Sequence, residues 1–263
     1  MNVEIVELDD RKAKFVLSGA THAFANSLRR GMLAEIPTLA IDYVNIYNNT
    51  SVLFDEQLAL RLGLIPLKTD LDSYVLPSDC GCGGEGCPQC QVSLTLSVEG
   101  PKMAYSTEMV SADPAVTPAD AVPIIKLAEG QKISLEAVAR LGTGHDHAKW
   151  QAGVACGYKN MPHITVLEEC DACGMCVDAC PRGVLVITDN VAKAVDERAC
   201  SLCRLCESVC ELNWIKVDTY PDSVIFTAES DGSMPITELI IRSADNIKER
   251  ATALDEYLGI IDA

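Results

Sequence analysis

The stretch CDACGMCVDACPRGVLVITDNVAKAVDERACSLCRLCESVC, residues 170–210, states one cysteine pattern twice. Cys170, Cys173, Cys176 and Cys180 follow C-x2-C-x2-C-x3-C, and Cys200, Cys203, Cys206 and Cys210 repeat it 30 residues later. The two-residue gaps let a tight loop aim three thiolates at three corners of a metal–sulfur cube. The three-residue step then starts a short helix whose cysteine points away. In this spacing three close cysteines hold one iron–sulfur cluster and the fourth crosses over to another. The pattern predicts two 4Fe-4S clusters, the first on Cys170, Cys173, Cys176 and the distant Cys210, the second on Cys200, Cys203, Cys206 and the distant Cys180. A zinc site and a disulfide framework are the alternatives, and the doubled spacing argues against both.

The flanks repeat as well. Leu185 and Ile187 are echoed by Ile215 and Val217, as expected for strands of a pseudo-symmetric module of bacterial-ferredoxin type. Pro181 follows Cys180 and keeps the chain from folding back on its own cluster, whereas Glu211 stands at the equivalent place in the second block.

Working outward, 263 residues accommodate one large domain or two to three small ones, and 48% hydrophobic content is enough for an ordinary core. No run of 18 apolar residues occurs and the N-terminal MNVEIVELDDRK has no apolar centre, so neither a membrane span nor a secretory signal is expected. The expected compartment is the cytoplasm, where thirteen cysteines read as ligands in place of disulfides. A formal charge of −17 predicts weak binding to nucleic acid, whose affinity comes from Lys and Arg on phosphates. If the chain works near DNA, other chains make most of the contacts.

The first 18 residues read as a hairpin around Asp9-Asp10-Arg11. HAFANSLRRGMLAEIP places Phe24, Leu28, Met32 and Ile36 on one helical face and stops at Pro37. TLAIDYVNIYNNTS alternates like a strand, and DEQLALRLGLIPL reads as a short helix ending near Gly63 or Pro66. Between residues 91 and 165 short β-like runs predominate, and SADPAVTPADAVP reads as a surface loop or linker. WIKVDTYPDSVIFTAES returns to strands with a turn at Pro221-Asp222. From Pro235 to Leu258 the chain is helix-forming, with Gly259 placed to end the helix. Its apolar residues Ile240, Ala244, Ile247, Ala251, Leu254 and Leu258 form an a/d seam. Ile236, Leu239 and Ile241 widen it, so that one side suits the chain's own sheet and another a partner helix. Burying the four largest seam residues contributes on the order of 6–12 kcal/mol.

A second cysteine group, DCGCGGEGCPQC, offers Cys80, Cys82, Cys87 and Cys90. Four thiolates this close fit a structural tetrahedral zinc site, with a flexible reduced loop or a third iron site as alternatives. Cys156 is left over and reads as a small buried residue. There is no nucleotide-binding glycine motif, since Gly142 and Gly144 are followed by polar residues, and no hydrolase signature. His22 and His163 are scattered, and His145 with His147 reads as a solvated turn more readily than as a metal pair.

Residues 22–67, HAFANSLRRGMLAEIPTLAIDYVNIYNNTSVLFDEQLALRLGLIPL, closely resemble the signature of the D subunit of archaeal RNA polymerase, related to the third-largest eukaryotic subunit and to bacterial alpha. HDHAKWQAGVACGY, residues 145–158, and GSMPITELIIRSADNIKERATALDEYL resemble two further segments of that family, the latter its dimerisation helix. The resemblance implies an α+β fold: a discontinuous alpha-subunit-like dimerisation domain from residues 1–40 and 220–263, a mainly β insert domain over 41–165 carrying the Cys-rich loop 80–90, and a ferredoxin-like iron–sulfur domain over 166–219. It implies a heterodimer with the small L subunit through the seam Ile240 to Leu258, and a platform for subunits N and P and the large catalytic subunits. Arg29 and Arg30 match an arginine pair that faces those large subunits.

The resemblance further implies a transcription subunit of a nucleotidyltransferase complex, with no catalytic residue, no small-molecule substrate and no membrane on this chain, and DNA met only through the assembled polymerase. The clusters then stabilise their domain or regulate assembly by redox state, one of them possible as 3Fe-4S in isolated protein. An electron-transfer protein and an oxidoreductase subunit are the competing readings, and neither explains residues 22–67.

Overall fold

A computed structural model describes residues 1–261. In chain order the elements are β1 (Asn2–Leu8), β2 (Lys12–Ser18), α1 (His22–Ala34), β3 (Thr38–Asn49), α2 (Asp55–Gly63), β4 (Gln91–Glu99), β5 (Lys102–Tyr105), β6 (Val110–Ser111), β7 (Pro123–Leu127), β8 (Lys132–Gly142), β9 (Gly153–Val166), α3 (Met175–Asp178), β10 (Leu185–Thr188), β11 (Val191–Ala194), α4 (Leu205–Ser208), β12 (Ile215–Ser230) and α5 (Ile236–Ile261). They fall into two compact units. One comprises Met1–Glu7, Lys14–Ala25 and Gly157–Thr227; the other comprises Leu8–Ala13, Asn26–Cys156 and the chain from Ala228 onward.

The N-terminal hairpin forms as the sequence predicts. Asp9 Oδ1 accepts from the backbone N–H of Arg11 at 2.8 Å and of Lys12 at 2.7 Å, an Asx turn that closes β1 onto β2. These strands join a four-stranded sheet in the order β1-β2-β12-β9. Phe15 stacks on Phe226 with ring centroids 5.3 Å apart. The expected turn at Pro221-Asp222 is absent: β12 runs unbroken through both residues. Proline withholds a single donor, and the pairing on either side of it carries the strand across.

Helix α1 starts at a Thr21 cap, whose Oγ1 accepts from Phe24 N at 3.2 Å, and ends before Pro37. Leu28 and Met32 are buried as the periodicity predicts, Phe24 on the same face is half-buried, and Ile36 is buried just past the end of the helix. Helix α5 crosses it closely, with Ser243 Oγ donating to the Leu28 carbonyl at 3.0 Å. A Cβ at Gly31 would lie 2.2 Å from Ser243 Oγ. Gly31→Ala is therefore expected to destabilise the chain by about 1–3 kcal/mol through overpacking. A thermal melt that leaves the midpoint unchanged would contradict this contact.

The insert carries its own core. Strands order as β3-β8-β4-β6 in an antiparallel sheet, with Leu96 opposite Leu135 and Leu94 opposite Ala137. The alternate residues Val92, Leu94, Leu96 and Val98 of β4 are buried, and α2 lays Leu58 and Leu62 on the same core. The segment 111–123 is irregular as expected, yet it is packed and does not act as a linker. Val116 is 1% exposed, and Lys68 N donates to Thr117 O at 2.8 Å while Ala119 N donates to Pro66 O at 2.9 Å.

The cysteine-rich module has a much smaller core: Val184, Leu185, Ala192, Ile215 and Val217, completed by the cysteines Cys176, Cys200 and Cys206. Its β10–β11 hairpin pairs Leu185 with Ala194.

Candidate metal centres

The repeat seen in the cysteines is also a repeat in backbone conformation. Ala172 and Leu202, Gly174 and Arg204, and Gly183 and Asn213 all have positive φ, between 54° and 82°, and each pair is offset by 30 residues. Four of these six are not glycine, so the chain holds a left-handed conformation that costs energy at each of them. Such strain persists where the surroundings over-determine it, and here it curls each loop around its cysteines. The short helices α3 and α4 follow each loop and carry the third cysteine of each block, Cys176 and Cys206.

This folding produces two cavities. Cys170, Cys173 and Cys176 line one together with Cys210 from the other block. Cys200, Cys203 and Cys206 line the second together with Cys180. The donor set suits an iron–sulfur group in each: four sulfurs, three from a local loop and one crossing over, with no competing nitrogen ligand in the lining. Backbone N–H groups already point at sulfur, with Val184 N 3.4 Å from Cys180 Sγ and Leu202 N 3.4 Å from Cys200 Sγ. The individual thiols differ. Burial pushes Cys206 up to about 11 and also raises Cys176, while the Leu205 N–H and then the Ser201 hydroxyl pull Cys203 down.

Residues around these cavities had no signal in the cysteine spacing. Lys159 of β9 donates through Nζ to the carbonyls of Arg198, at 2.7 Å, and Cys200, at 2.6 Å. Arg182 and Arg204 line the second cavity, whereas Asp171 and Glu211 line the first.

The loop 80–90 gathers its four sulfurs at one point. Cys80, Cys82, Cys87 and Cys90 offer ligand atoms all within 4.8 Å of one another, and neighbouring sulfurs lie 3.4–3.9 Å apart. A tetrahedral ion with metal–sulfur bonds of about 2.3 Å needs edges of about 3.8 Å, so the loop fits a closed four-thiolate site. Glycines make the turn possible. Gly83, Gly84 and Gly86 have positive φ, and a Cβ at Gly86 would strike the Gln91 amide at 2.4 Å. The Gly86 N–H and then the Cys80 thiol pull Cys82 down to about 6.

Other singled-out residues serve packing. His145 Nε2 lies 3.9 Å from Glu35 Oε1, and His147 Nδ1 accepts from Lys149 N at 3.0 Å, so the two rings are engaged separately. Gly142 and Gly144 permit close approach, since a Cβ would meet Trp150 at 2.4 Å or the Leu33 carbonyl at 2.5 Å. Cys156 is half-buried, and desolvation raises its thiol. Arg29 bonds to Asn26 Oδ1 within α1 at 3.0 Å, and Arg30 is exposed.

Helix α5 presents two faces. Ile236, Leu239 and Ser243 are fully buried, while the seam lies beside them: Ile240, Ala244 and Ile247 are half-buried, and Ala251, Leu254 and Leu258 are exposed. Leu254 and Leu258 are 59% and 50% exposed, and Ile241, expected to widen the stripe, is 60% exposed. The helix also continues through Gly259, whose backbone is not left-handed and so provides no stop.

The family model for the RNA polymerase Rpb3/Rpb11 dimerisation domain matches residues 14–251. The chain is 57% identical to the DNA-directed RNA polymerase subunit Rpo3 of Methanosarcina acetivorans, over 100% of this chain and 98% of that protein. It is 45% identical to the Rpo3 of Archaeoglobus fulgidus, over 97% of each chain, and 40% identical to that of Halobacterium salinarum, over 98% of each. With its discontinuous α+β dimerisation domain and inserted cysteine module, the chain belongs to the Rpo3 family of archaeal DNA-directed RNA polymerase subunits.

Proposed function

We propose that this chain is the non-catalytic platform on which a DNA-directed RNA polymerase assembles, and that α5 pairs with a small subunit of Rpb11 or L type. The observation that carries the reading is the uncovered seam of α5. One face of the helix is spent on its own chain, and the adjacent apolar stripe runs into solvent at Leu254 and Leu258. Exposed apolar rows of this kind are covered in a permanent complex. Co-expression with the small subunit is expected to yield a one-to-one complex by analytical ultracentrifugation, and a lone monomer under the same conditions would oppose the reading.

The dimerisation domain takes residues 1–40 and 220–263, the insert 41–165, and the iron–sulfur domain 166–219. Subunits N and P and the large catalytic subunits dock on the resulting pair, with Arg29 and Arg30 toward the large subunits. DNA is met through the assembly, in the cytoplasm; among the described residues no helix is long and apolar enough to cross a membrane.

Two 4Fe-4S clusters occupy the cysteine module, on Cys170, Cys173, Cys176 and Cys210 and on Cys200, Cys203, Cys206 and Cys180, and zinc occupies Cys80, Cys82, Cys87 and Cys90. The module's few buried apolar residues supply little stability alone, so bound clusters complete its core. Elemental analysis of anaerobically purified protein is expected to give about eight irons and one zinc per chain. Cys87→Ser is expected to remove the zinc and leave the iron, and loss of both together would contradict separate sites.

A further inference from the structure

The 30-residue repeat makes the two four-cysteine cavities a matched pair, so that they can be compared position by position. Directly after the first cysteine of each block stand Asp171 and Ser201; before the third stand Gly174 and Arg204 by the same offset; after the crossing cysteines stand Glu211-Leu212 and Pro181-Arg182. The lining follows these differences. Asp171 and Glu211 are among the residues that line the first cavity, and Arg182 and Arg204, through their apolar atoms, are among those that line the second.

The backbone adds to the contrast. Lys159 Nζ donates to the carbonyl of the ligand residue Cys200 at 2.6 Å, whereas no side chain donates to the carbonyl of Cys170 among the described residues. Some of the positive charge is offset: Glu207 Oε2 lies 3.8 Å from Arg204 Nε, and Asp196 is engaged by Arg198 at 3.1 Å. Arg182 has no ion pair among the described residues, and the ammonium of Lys159 remains close to the second cavity.

We infer that the second cysteine set, Cys180, Cys200, Cys203 and Cys206, is the electron-accepting site of the module, while the first set stays oxidised at potentials that reduce the second. This rests on the reading that both cavities hold 4Fe-4S clusters. One electron from a low-potential one-electron donor enters the core bound at the second set and lowers its formal charge from 2+ to 1+. No ligand bond breaks and no proton is required. With four thiolates the added electron deepens a negative charge, so nearby cations favour the reduced form and nearby carboxylates oppose it. Lys159, Arg182 and Arg204 are the positioning residues for that preference, and Asp171 and Glu211 are their counterparts at the first set.

The test is a dithionite titration of the full chain, purified anaerobically and followed by electron paramagnetic resonance at set potentials, with iron and sulfide measured on every sample. Two separate one-electron steps are expected. R182Q with R204Q should move the upper step to lower potential and leave the lower one in place, and K159Q should act in the same direction. D171N with E211Q, which leaves every cation in place, should raise the lower step alone. A single coincident step at full iron content, or cation variants that shift the lower step or neither step, would overturn the assignment. Protein that takes up no iron would instead overturn the cluster reading on which it rests.

Discussion

Replacing Cys173 and Cys203 with serine is expected to lower assembly with the large polymerase subunits by about tenfold or more while leaving pairing with the small subunit within about twofold. Each substitution removes one ligand from one of the proposed clusters, and both positions are exposed, so no apolar packing is lost with them. The effect acts through folding. Cys176, Cys200 and Cys206 are part of the module's small core, and the left-handed residues Ala172, Leu202, Arg204 and Asn213 are strained. Without bound metal, little opposes the relaxation of these loops. The α5 seam belongs to the other compact unit and is built from ordinary side chains, so pairing should persist. Quantitative mass spectrometry of complexes purified without oxygen reads both ratios. Normal large-subunit recovery by a variant shown to lack iron would remove any role for the clusters in assembly.

The second large effect concerns Leu254 and Leu258. Leu254→Asp with Leu258→Asp is expected to raise the Kd for the small subunit by about 10²–10⁴-fold, since burying each leucine contributes about 1.5–3 kcal/mol. The lone chain should be indifferent to the change, because both side chains are half or more exposed in it. That combination of lost pairing and an unchanged melting temperature separates an interface from a core. A fall in the melting temperature of the lone chain, with pairing retained, would place these residues in its own core instead.

Much of this architecture can be read from the chain. The doubled cysteine spacing anticipates which cysteines share a cavity, Cys210 with Cys170, Cys173 and Cys176, and Cys180 with Cys200, Cys203 and Cys206. The periodicity of α1 anticipates its buried Leu28 and Met32, whereas Phe24 on the same face is half-buried. Features that depend on distant neighbours were not legible. Pro221-Asp222 reads as a turn, but the flanking strands carry β12 across it. Gly259 reads as a stop, yet a glycine ends a helix only when its backbone turns left-handed. Val116 sits in a stretch of loop composition and is buried by contacts with residues near Leu67. Lys159 reaches a carbonyl 41 residues away, which no local pattern announces. The charge contrast between the cavities was visible in principle, since aligning the repeats sets Gly174 against Arg204, but its meaning required knowing which side chains line which cavity.

Anaerobic isolation of the tagged protein from its native cells, with the co-purifying chains identified and quantified by mass spectrometry, tests whether this chain organises a polymerase. The large polymerase subunits are expected together with a small partner in near-equal amount. Recovery of a flavoprotein or dehydrogenase with no polymerase chains would contradict that expectation and assign the cysteine module to electron transfer.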